Sequence, residues 1–426
     1  IKQNGRAGII VPTGIATDDG SKAYFDEISK NQKIISLYDF ENRKGLFPDI
    51  DSRTKFSLLS LGNNMKPTDF VFFINDVSQL SNQNKHFELI SNDIEIINPN
   101  TKTCPIFRSK KDSEIIKNIY KRIPILINDS IGNNSNKWEL IFKQGLFNMT
   151  SDSNFFFKES STTSLPLYEA KLIHIFDHRW ASFENEKSFY DISEEKKQNP
   201  NFNISPRYWV SKKEVQERLK SIKWERDWLM GWRDVTNPTN ERTVISTVIP
   251  ISGVGHNMPI FFSKKEIDYL CCFFGNWQSL VLDFVARSKI GGTHLTYSYL
   301  KQLPFLPPES YDQKSINFIK PKIIELTYTN YELKPWAVDL GYYGNPFSYN
   351  QERRAILRAE LDAFYAYLYG LTRDELRFIL DPSDLMGEDY PSETFRVLKK
   401  NELSKYGEYL TKRLVLESWD KLFDMK

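Results

Sequence analysis

The sequence predicts a mixed α/β and α+β chain that starts with the end of an α/β sheet and finishes with a helical domain. Strand-like and helix-like segments alternate in residues 1–75, short strands and loops dominate residues 166–308, and amphipathic segments fill residues 309–426. Single hydrophobic cores stop growing near roughly 300 residues, so a chain of 426 residues is expected to hold several domains. We predict the divisions 1–75, 76–165, 166–308 and 309–426.

The first region has the element order expected of a sheet with crossover connections. Its predicted elements are a buried strand at 6–12, a helix at 21–30, a strand at 33–40, a loop at 42–52 and a strand at 55–61. Thr13 and Gly14 are predicted to form the turn after the first strand. This order predicts the final part of an α/β sheet.

The later regions are predicted from β-branched runs, helical periodicity and proline. A strand is expected at 244–250, a surface loop at 253–259 and a helix at 264–286. Three prolines between Leu303 and Pro308 stop regular structure and mark a boundary. The C-terminal helices are predicted at 353–369, from the capping box at Thr372, and at 401–422.

The composition limits the class of protein. The hydrophobic fraction of 40% and the charged fraction of 26% are those of a folded chain. Three cysteines, of which Cys271 and Cys272 are neighbours, cannot form a disulfide framework. No apolar run is long enough to span a bilayer, so we expect a cytoplasmic protein without a membrane partner. The formal charge of +2 neither requires nor excludes nucleic acid.

Several long segments, in order, resemble the adenine-N6 DNA methyltransferases of type IIG restriction-modification systems and the phage-exclusion methyltransferases. The segments are GRAGIIVPTGIATDD, ISLYDFENRKGLFPDIDSRTKFSLLSLG, LYEAKLIHIFDHRWASF, RSKIGGTHLTYSYLKQLPFLPP, YLYGLTRDELRFILDP and GEYLTKRLVLESWDKL. The resemblance implies that the first sheet is the tail of a class I methyltransferase Rossmann-like sheet. It also implies that residues 166–308 are a DNA target-recognition region with double-stranded DNA as partner.

The family's glycine-rich turn for S-adenosylmethionine and its Asn-Pro-Pro-Tyr motif do not occur in this sequence. We therefore expect S-adenosylmethionine to bind the full-length protein, and we expect no cofactor binding or methylation by this chain alone. Because the chain opens at Ile1 and leads directly into a strand, we also expect that the natural protein continues before it.

The loop KGLFPDIDSRTKF resembles the place where these enzymes set an aromatic side chain against the extrahelical adenine, which here is Phe47. Such a base needs a stacking partner, and stacking contributes about 1 to 3 kcal/mol. The alternative is that Phe47 only covers the edge of the sheet.

Two clusters of basic residues are the main candidates for DNA contacts. One contains Lys171, His178 and Arg179 in the most family-like segment; the other contains Arg287, Lys289 and His294 beside the pair Gly291–Gly292, where a bare backbone could approach DNA closely. Arg53 and Arg242 are assigned to DNA contacts as well. In the alternative interpretation, Arg179 and Arg287 form internal salt bridges.

The sequence also leaves three alternatives: a metal-dependent nuclease, a metal site and an interaction module. Glu169-Ala170-Lys171 is half of the pattern of metal-dependent nucleases, but Pro48-Asp49 lies far upstream. His174 and His178 have the spacing of a metal-binding pair without an evident third ligand. A non-enzymatic interaction module is the third alternative, with the aromatic residues of 364–369 as its contact surface and other subunits of a defence complex as partners.

Overall fold

The computed structural model describes residues 5–290 and 293–423, except for the side chain of Asn133. Within them the strands are β1 Arg6–Pro12, β2 Ile34–Glu41, β3 Lys55–Gly62, β4 Thr68–Ile74, β5 Phe87–Leu89, β6 Ile141–Lys143, β7 Ser164–Tyr168, β8 Ala181–Phe183, β9 Phe189–Asp191, β10 Trp209–Ser211, β11 Trp228–Trp232, β12 Ser246–Pro250, β13 Gly253–Val254 and β14 Ile260–Phe262.

The α-helices of the same residues are α1 Gly14–Thr17, α2 Lys22–Lys30, α3 Ser91–Ile97, α4 Lys110–Arg122, α5 Glu194–Gln198, α6 Lys212–Ile222, α7 Ile267–Gln278, α8 Leu280–Arg287, α9 Tyr297–Lys301, α10 Gln313–Thr327, α11 Lys334–Asp339, α12 Gln351–Leu368, α13 Arg373–Leu380, α14 Ser383–Met386, α15 Arg396–Tyr406 and α16 Leu410–Phe423. The mixed class that the sequence predicts is therefore observed.

The first sheet has the strand order β1-β3-β2-β4-β5. Strand β3 lies between β1 and β2 and is antiparallel to both, so β1 and β2 run in the same direction. Strand β4 joins the other side of β2 in parallel, and β5 closes the sheet antiparallel to β4. The carboxyl ends of β1, β2 and β4 consequently lie at one edge of the sheet.

The two faces of this sheet bury different side chains because successive residues of a strand point to opposite faces. Leu37 and Leu59, which are paired in register, face the main apolar core. Phe40 pairs with Phe56 and faces a smaller cluster on the other side, which also contains Val71. The two faces therefore pack against separate apolar clusters.

Short sheets build the middle of the chain, as the sequence predicts. Strands β10, β7 and β13 form one sheet, β12, β11, β14 and β6 form a second, and β8 and β9 form a hairpin. Their inner side chains make a second apolar cluster, which includes Leu167, Val210 and Ile260.

The predicted helix at 264–286 is two helices, α7 and α8. The chain turns at Ser279, whose side chain accepts a hydrogen bond from the backbone N–H of Leu282 and so caps α8. Gly275 in α7 allows a close approach of α12, since a Cβ there would lie 2.5 Å from the hydroxyl oxygen of Tyr365. That hydroxyl donates to the carbonyl of Cys272 at 2.7 Å.

The C-terminal region is helical, and its long helix α12 packs on α10 and α16. Thr372 and Glu375 form the predicted capping box at the start of α13. The single helix predicted at 401–422 is instead the pair α15 and α16, because Gly407 adopts a left-handed conformation with φ of 75° that ends α15. Among the described residues, no helix combines the length and apolar character that crossing a membrane requires.

Candidate nucleic-acid interface

The loop that connects β2 to β3 is fixed by Asn42, whose side chain is fully buried. Its Nδ2 donates to the carbonyls of Phe47 and Ile50 at 2.9 and 2.8 Å, while its Oδ1 accepts from the backbone N–H of Phe47 at 2.9 Å. Gly45 supplies the left-handed residue of the turn, with φ of 69°. Phe47 therefore has a defined backbone position within a long loop.

The ring of Phe47 ends a row of aromatic side chains. It packs edge-on against Phe56 with ring centroids 5.0 Å apart, and Phe56 stacks on Phe40 at 5.2 Å. Phe47 is nevertheless 41% exposed, in contrast to Phe40, which is 2% exposed. A planar group could thus stack on Phe47 at the edge where β2 ends.

Three cations surround this loop. Arg53 has a 90% exposed side chain and forms a two-point hydrogen bond with Asp51 at 3.0 and 2.8 Å. Arg43 and Lys44 are also exposed, at 64% and 63% of their side chains. The ion pairs of Arg53 with Asp51 and of Lys44 with Asp76 are open to water and therefore weak, whereas Arg43 is paired with the buried Glu41. All three cationic side chains remain exposed and accessible to a phosphate.

Lys171 is half-buried. Its Nζ lies 4.7 Å from the ring centroid of Phe189 and 5.4 Å from that of Phe183, so it covers the β8–β9 hairpin. These cation–π contacts orient the ammonium group without neutralising it.

His178 lies inside the protein, which corrects the prediction that it contacts DNA. Its side chain is 1% exposed, and Nε2 has no hydrogen-bond partner in the described part of the chain. Burial and the neighbouring charge of Arg179 lower the pKa of His178 to about 3, so the imidazole is neutral.

Arg179 is likewise buried, and its predicted DNA contact is corrected too. One terminal nitrogen donates to the carbonyls of Asn199 and Phe202, and the other donates to those of Lys197 and Thr329, at 2.8 to 3.0 Å. The guanidinium thus joins the segment around α5 to the segment after α10. This role differs from the internal salt bridge that was the alternative.

Arg242 and Arg287 converge on one carboxylate, so the prediction that they bind DNA is also corrected. Asp283 is fully buried and accepts from Nε of Arg287 at 2.6 Å and from Nε of Arg242 at 3.0 Å. Arg287 further donates to the carbonyls of Pro238 and Thr394 at 2.9 Å. Arg287 thus forms an internal salt bridge, as the alternative interpretation predicted.

Lys289 is 5% exposed and donates to the carbonyl of Ile97 and to the side chain of Asn98, which corrects its assignment to DNA. His294 is 53% exposed, and its Nδ1 lies 3.0 Å from Asp234. Gly291 and Gly292, the proposed site of close backbone approach, lie outside the described residues.

The residues of the two metal-dependent alternatives have other partners. Glu169 is 3% exposed, and its carboxylate lies 3.1 Å from Nε of Arg207. His174 stacks on Trp180 with ring centroids 4.2 Å apart. Among the residues described, no three His, Cys, Asp or Glu side chains gather as a metal site would require.

Comparison with known proteins gives distant structural similarities. No family model matches the sequence, and no curated protein matches it. Solved structures that resemble this chain include the type IIG restriction endonuclease BpuSI, with 12% identity and a TM-score of 0.31, and the type IIL restriction-modification enzyme MmeI in complex with DNA, with 10% identity and a TM-score of 0.36.

The BpuSI match covers 79% of this chain and 46% of BpuSI, and the MmeI match covers 100% and 48%. This chain thus spans about half the length of either enzyme.

Two residues that organise these sites were missed by sequence reasoning. Asn42 follows the predicted strand 33–40, and an Asn at that position is a usual signal for a turn. Asp283 precedes Arg287 by four residues in an apolar helix, and this spacing is the available signal for a buried i,i+4 ion pair.

Proposed function

We propose that this chain is the DNA-recognition part of a site-specific adenine-N6 DNA methyltransferase of a restriction-modification or phage-defence system. The observation that carries the proposal is the presentation of Phe47. An exposed aromatic ring, held by a buried Asn and backed by Phe56, is suited to stack on a base that has left the duplex.

The position of the loop supports this function. In open α/β sheets, ligands bind beyond the carboxyl ends of the parallel strands. The Phe47 loop follows the carboxyl end of β2, next to the ends of β1 and β4. The topology of the first sheet fits the final part of such a methyltransferase sheet.

The exposed cations are the proposed contacts to the DNA backbone. Arg43, Lys44 and Arg53 border Phe47, and they could hold the phosphates that flank a base stacked there. Lys171 and His294 are proposed as contacts from the target-recognition region. Phosphate contacts of this kind position the protein without reading sequence.

The residues of this chain do not fit S-adenosylmethionine. The sequence has neither the glycine-rich turn after a strand nor an Asn-Pro-Pro-Tyr motif. We therefore propose that the methyl donor binds the full-length protein and assign no chemical step to residues of this chain. Their part is to bind the DNA and to hold the adenine out of the duplex.

Methyl transfer by the full-length protein tests the proposal. Labelled S-adenosylmethionine should label N6 of adenine in duplex DNA, and Phe47→Ala should slow this labelling by roughly fivefold to a hundredfold, the equivalent of about 1 to 3 kcal/mol. Phe157→Ala is the matched control, because Phe157 is 48% exposed and lies outside the loop. Absence of labelled N6-methyladenine with the wild-type protein would contradict the proposal.

A further inference from the structure

Strand β1 forms one edge of the first sheet. Its seven residues pair with β3 in regular antiparallel register, and no residue that the structure describes pairs with its other side. The backbone N–H and C=O groups on that side are therefore available to a further strand.

The exposed side chains of β1 are apolar on both faces of the sheet. Ile9 pairs with Leu59 and therefore lies on the face of the main apolar core. Ile10 pairs with Leu58 and lies on the opposite face, which packs against the smaller cluster. Ile9 is 42% exposed and Ile10 is 60% exposed. The layers that cover the two faces of the sheet thus end before they reach β1.

The opposite edge of the same sheet is protected from further pairing. Strand β5 has only three residues, and the exposed Glu88 lies between two apolar residues that are 2% exposed. Short edge strands with an exposed charge resist pairing with another chain. Strand β1 is longer and has no bulge, and its residues Arg6 and Pro12, which could discourage pairing, are confined to its ends. These features are typical of an interior strand that lacks one neighbour.

A second copy of this chain would leave both isoleucines uncovered. It could pair its own β1 with this edge, but that strand is equally bare on both faces, so the joined sheet would still expose Ile9 and Ile10. An α/β domain has helices on both faces of its sheet. Such a domain can supply a strand and also cover both faces of β1, so it fits this edge better than a second copy.

We propose that β1 is the docking edge for an α/β domain of the full-length protein, which pairs a strand with β1 and covers Ile9 on one face and Ile10 on the other. The inference rests on the proposed function in one respect. It takes the docked domain to be the one that carries the methyl-donor site, which the residues of this chain do not supply. The docked domain then belongs to the same continuous sheet as the strand β2 that leads into the Phe47 loop.

Thiol labelling of the full-length protein tests whether both faces of β1 are covered. Ile9→Cys and Ile10→Cys are each compared with Ile141→Cys, the matched control, because Ile141 is 50% exposed and lies on the edge strand β6 of another sheet. We expect a small thiol reagent to alkylate the two β1 variants about tenfold more slowly than the control, since covered side chains react only when the structure opens locally. Mass spectrometry of the labelled peptides measures the rates. Equal rates for the three variants would overturn the proposal.

Amide hydrogen exchange distinguishes an α/β domain from an occupant that pairs with the edge alone. Either occupant slows exchange across residues 6–12 in the full-length protein relative to this chain, but only the domain also slows alkylation on both faces. Slow exchange together with rapid alkylation of Ile9→Cys or Ile10→Cys would therefore overturn the proposal. A dimer of this chain that protects both variants as fully as the full-length protein does, and that Ile10→Lys dissociates, would overturn it in favour of a second copy.

Neither measurement depends on methylation, so the two proposals can fail separately. If β1 is covered in a full-length protein that does not methylate adenine, only the proposed function is contradicted. If the protein methylates adenine while both β1 variants are alkylated as fast as Ile141→Cys, only the docking edge is contradicted.

Discussion

Asp177 and Lys197 form a buried ion pair, with 2.7 Å between Oδ2 and Nζ and 4% of each side chain exposed. Tyr349, which precedes α12, donates its hydroxyl to the same Oδ2 at 3.1 Å. The neighbouring Arg179 binds the carbonyl of Thr329. The segment LYEAKLIHIFDHRWASF therefore connects to the C-terminal helical region through Asp177 and Arg179.

Lys197→Met should destabilise the protein by about 3 to 5 kcal/mol, since it leaves the Asp177 carboxylate buried without its ammonium partner. Urea unfolding measures the loss. Lys213→Met is the control, because the pair of Lys213 and Glu217 is exposed at 80% and 58% of the side chains and is expected to contribute little. Equal stability of the two variants would show that the buried pair adds nothing.

His178 predicts how stability depends on pH. Its folded pKa of about 3 lies below the unfolded value of about 6.5. The unfolded chain therefore binds the proton first, and this contribution to stability is complete above about pH 6.5 and is lost as the pH falls toward 3. His178→Gln should reduce the slope of unfolding free energy against pH in this window by roughly 1.4 kcal/mol per pH unit. If His178→Gln has the same slope as the wild type between pH 4 and 6, the imidazole of His178 is in contact with water in the folded protein.

Arg53 and Arg287 should differ in their effect on DNA binding. In the full-length protein, Arg53→Ala is expected to reduce the slope of log affinity against log salt by about one, because one phosphate contact is lost. Arg287→Ala should lower stability and leave that slope unchanged, since its guanidinium is held by Asp283 and three backbone carbonyls. A smaller salt slope for Arg287→Ala, together with an unchanged slope for Arg53→Ala, would indicate that Arg287 and not Arg53 contacts DNA.

Asn42→Ala should loosen the loop of Phe47 without removing its ring. The substitution deletes the hydrogen bonds to the backbone of Phe47 and Ile50, and a cost of about 1 to 3 kcal/mol is expected for the unpaired groups. We expect higher amide hydrogen exchange across residues 42–54 and weaker DNA binding by the full-length protein. If Asn42→Ala increases amide hydrogen exchange only at the chain termini, contacts other than those of Asn42 fix the loop.

The sequence predicts the elements of this fold better than its long-range partners. The predicted strands at 6–12, 33–40 and 55–61 are observed as β1, β2 and β3, because short apolar runs bounded by turn residues are a local pattern. The prediction that the strand at 6–12 is buried is wrong, since Ile9 and Ile10 of β1 are 42% and 60% exposed. The predicted helix at 353–369 is observed as α12, because helical periodicity is also a local pattern.

The partners of Arg179 could not be predicted in this way. Its guanidinium reaches Thr329, 150 positions along the chain, and no local spacing encodes such a contact. A basic residue between aromatic residues has the same local pattern whether it faces DNA or a buried carbonyl. Arg53, in contrast, lies in a polar loop, where exposure follows from the neighbouring residues.

Fluorescence of 2-aminopurine placed at the target adenine is the most direct test of Phe47, once the methylated site has been identified in genomic DNA. Binding of the full-length wild-type protein should increase the fluorescence as the base leaves the stack, and Phe47→Ala should make this increase smaller. Phe47→Trp should preserve it, and Phe157→Ala should match the wild type. If Phe47→Ala gives the wild-type fluorescence and methylation rate, Phe47 only packs against Phe56 and does not stack on the extrahelical adenine.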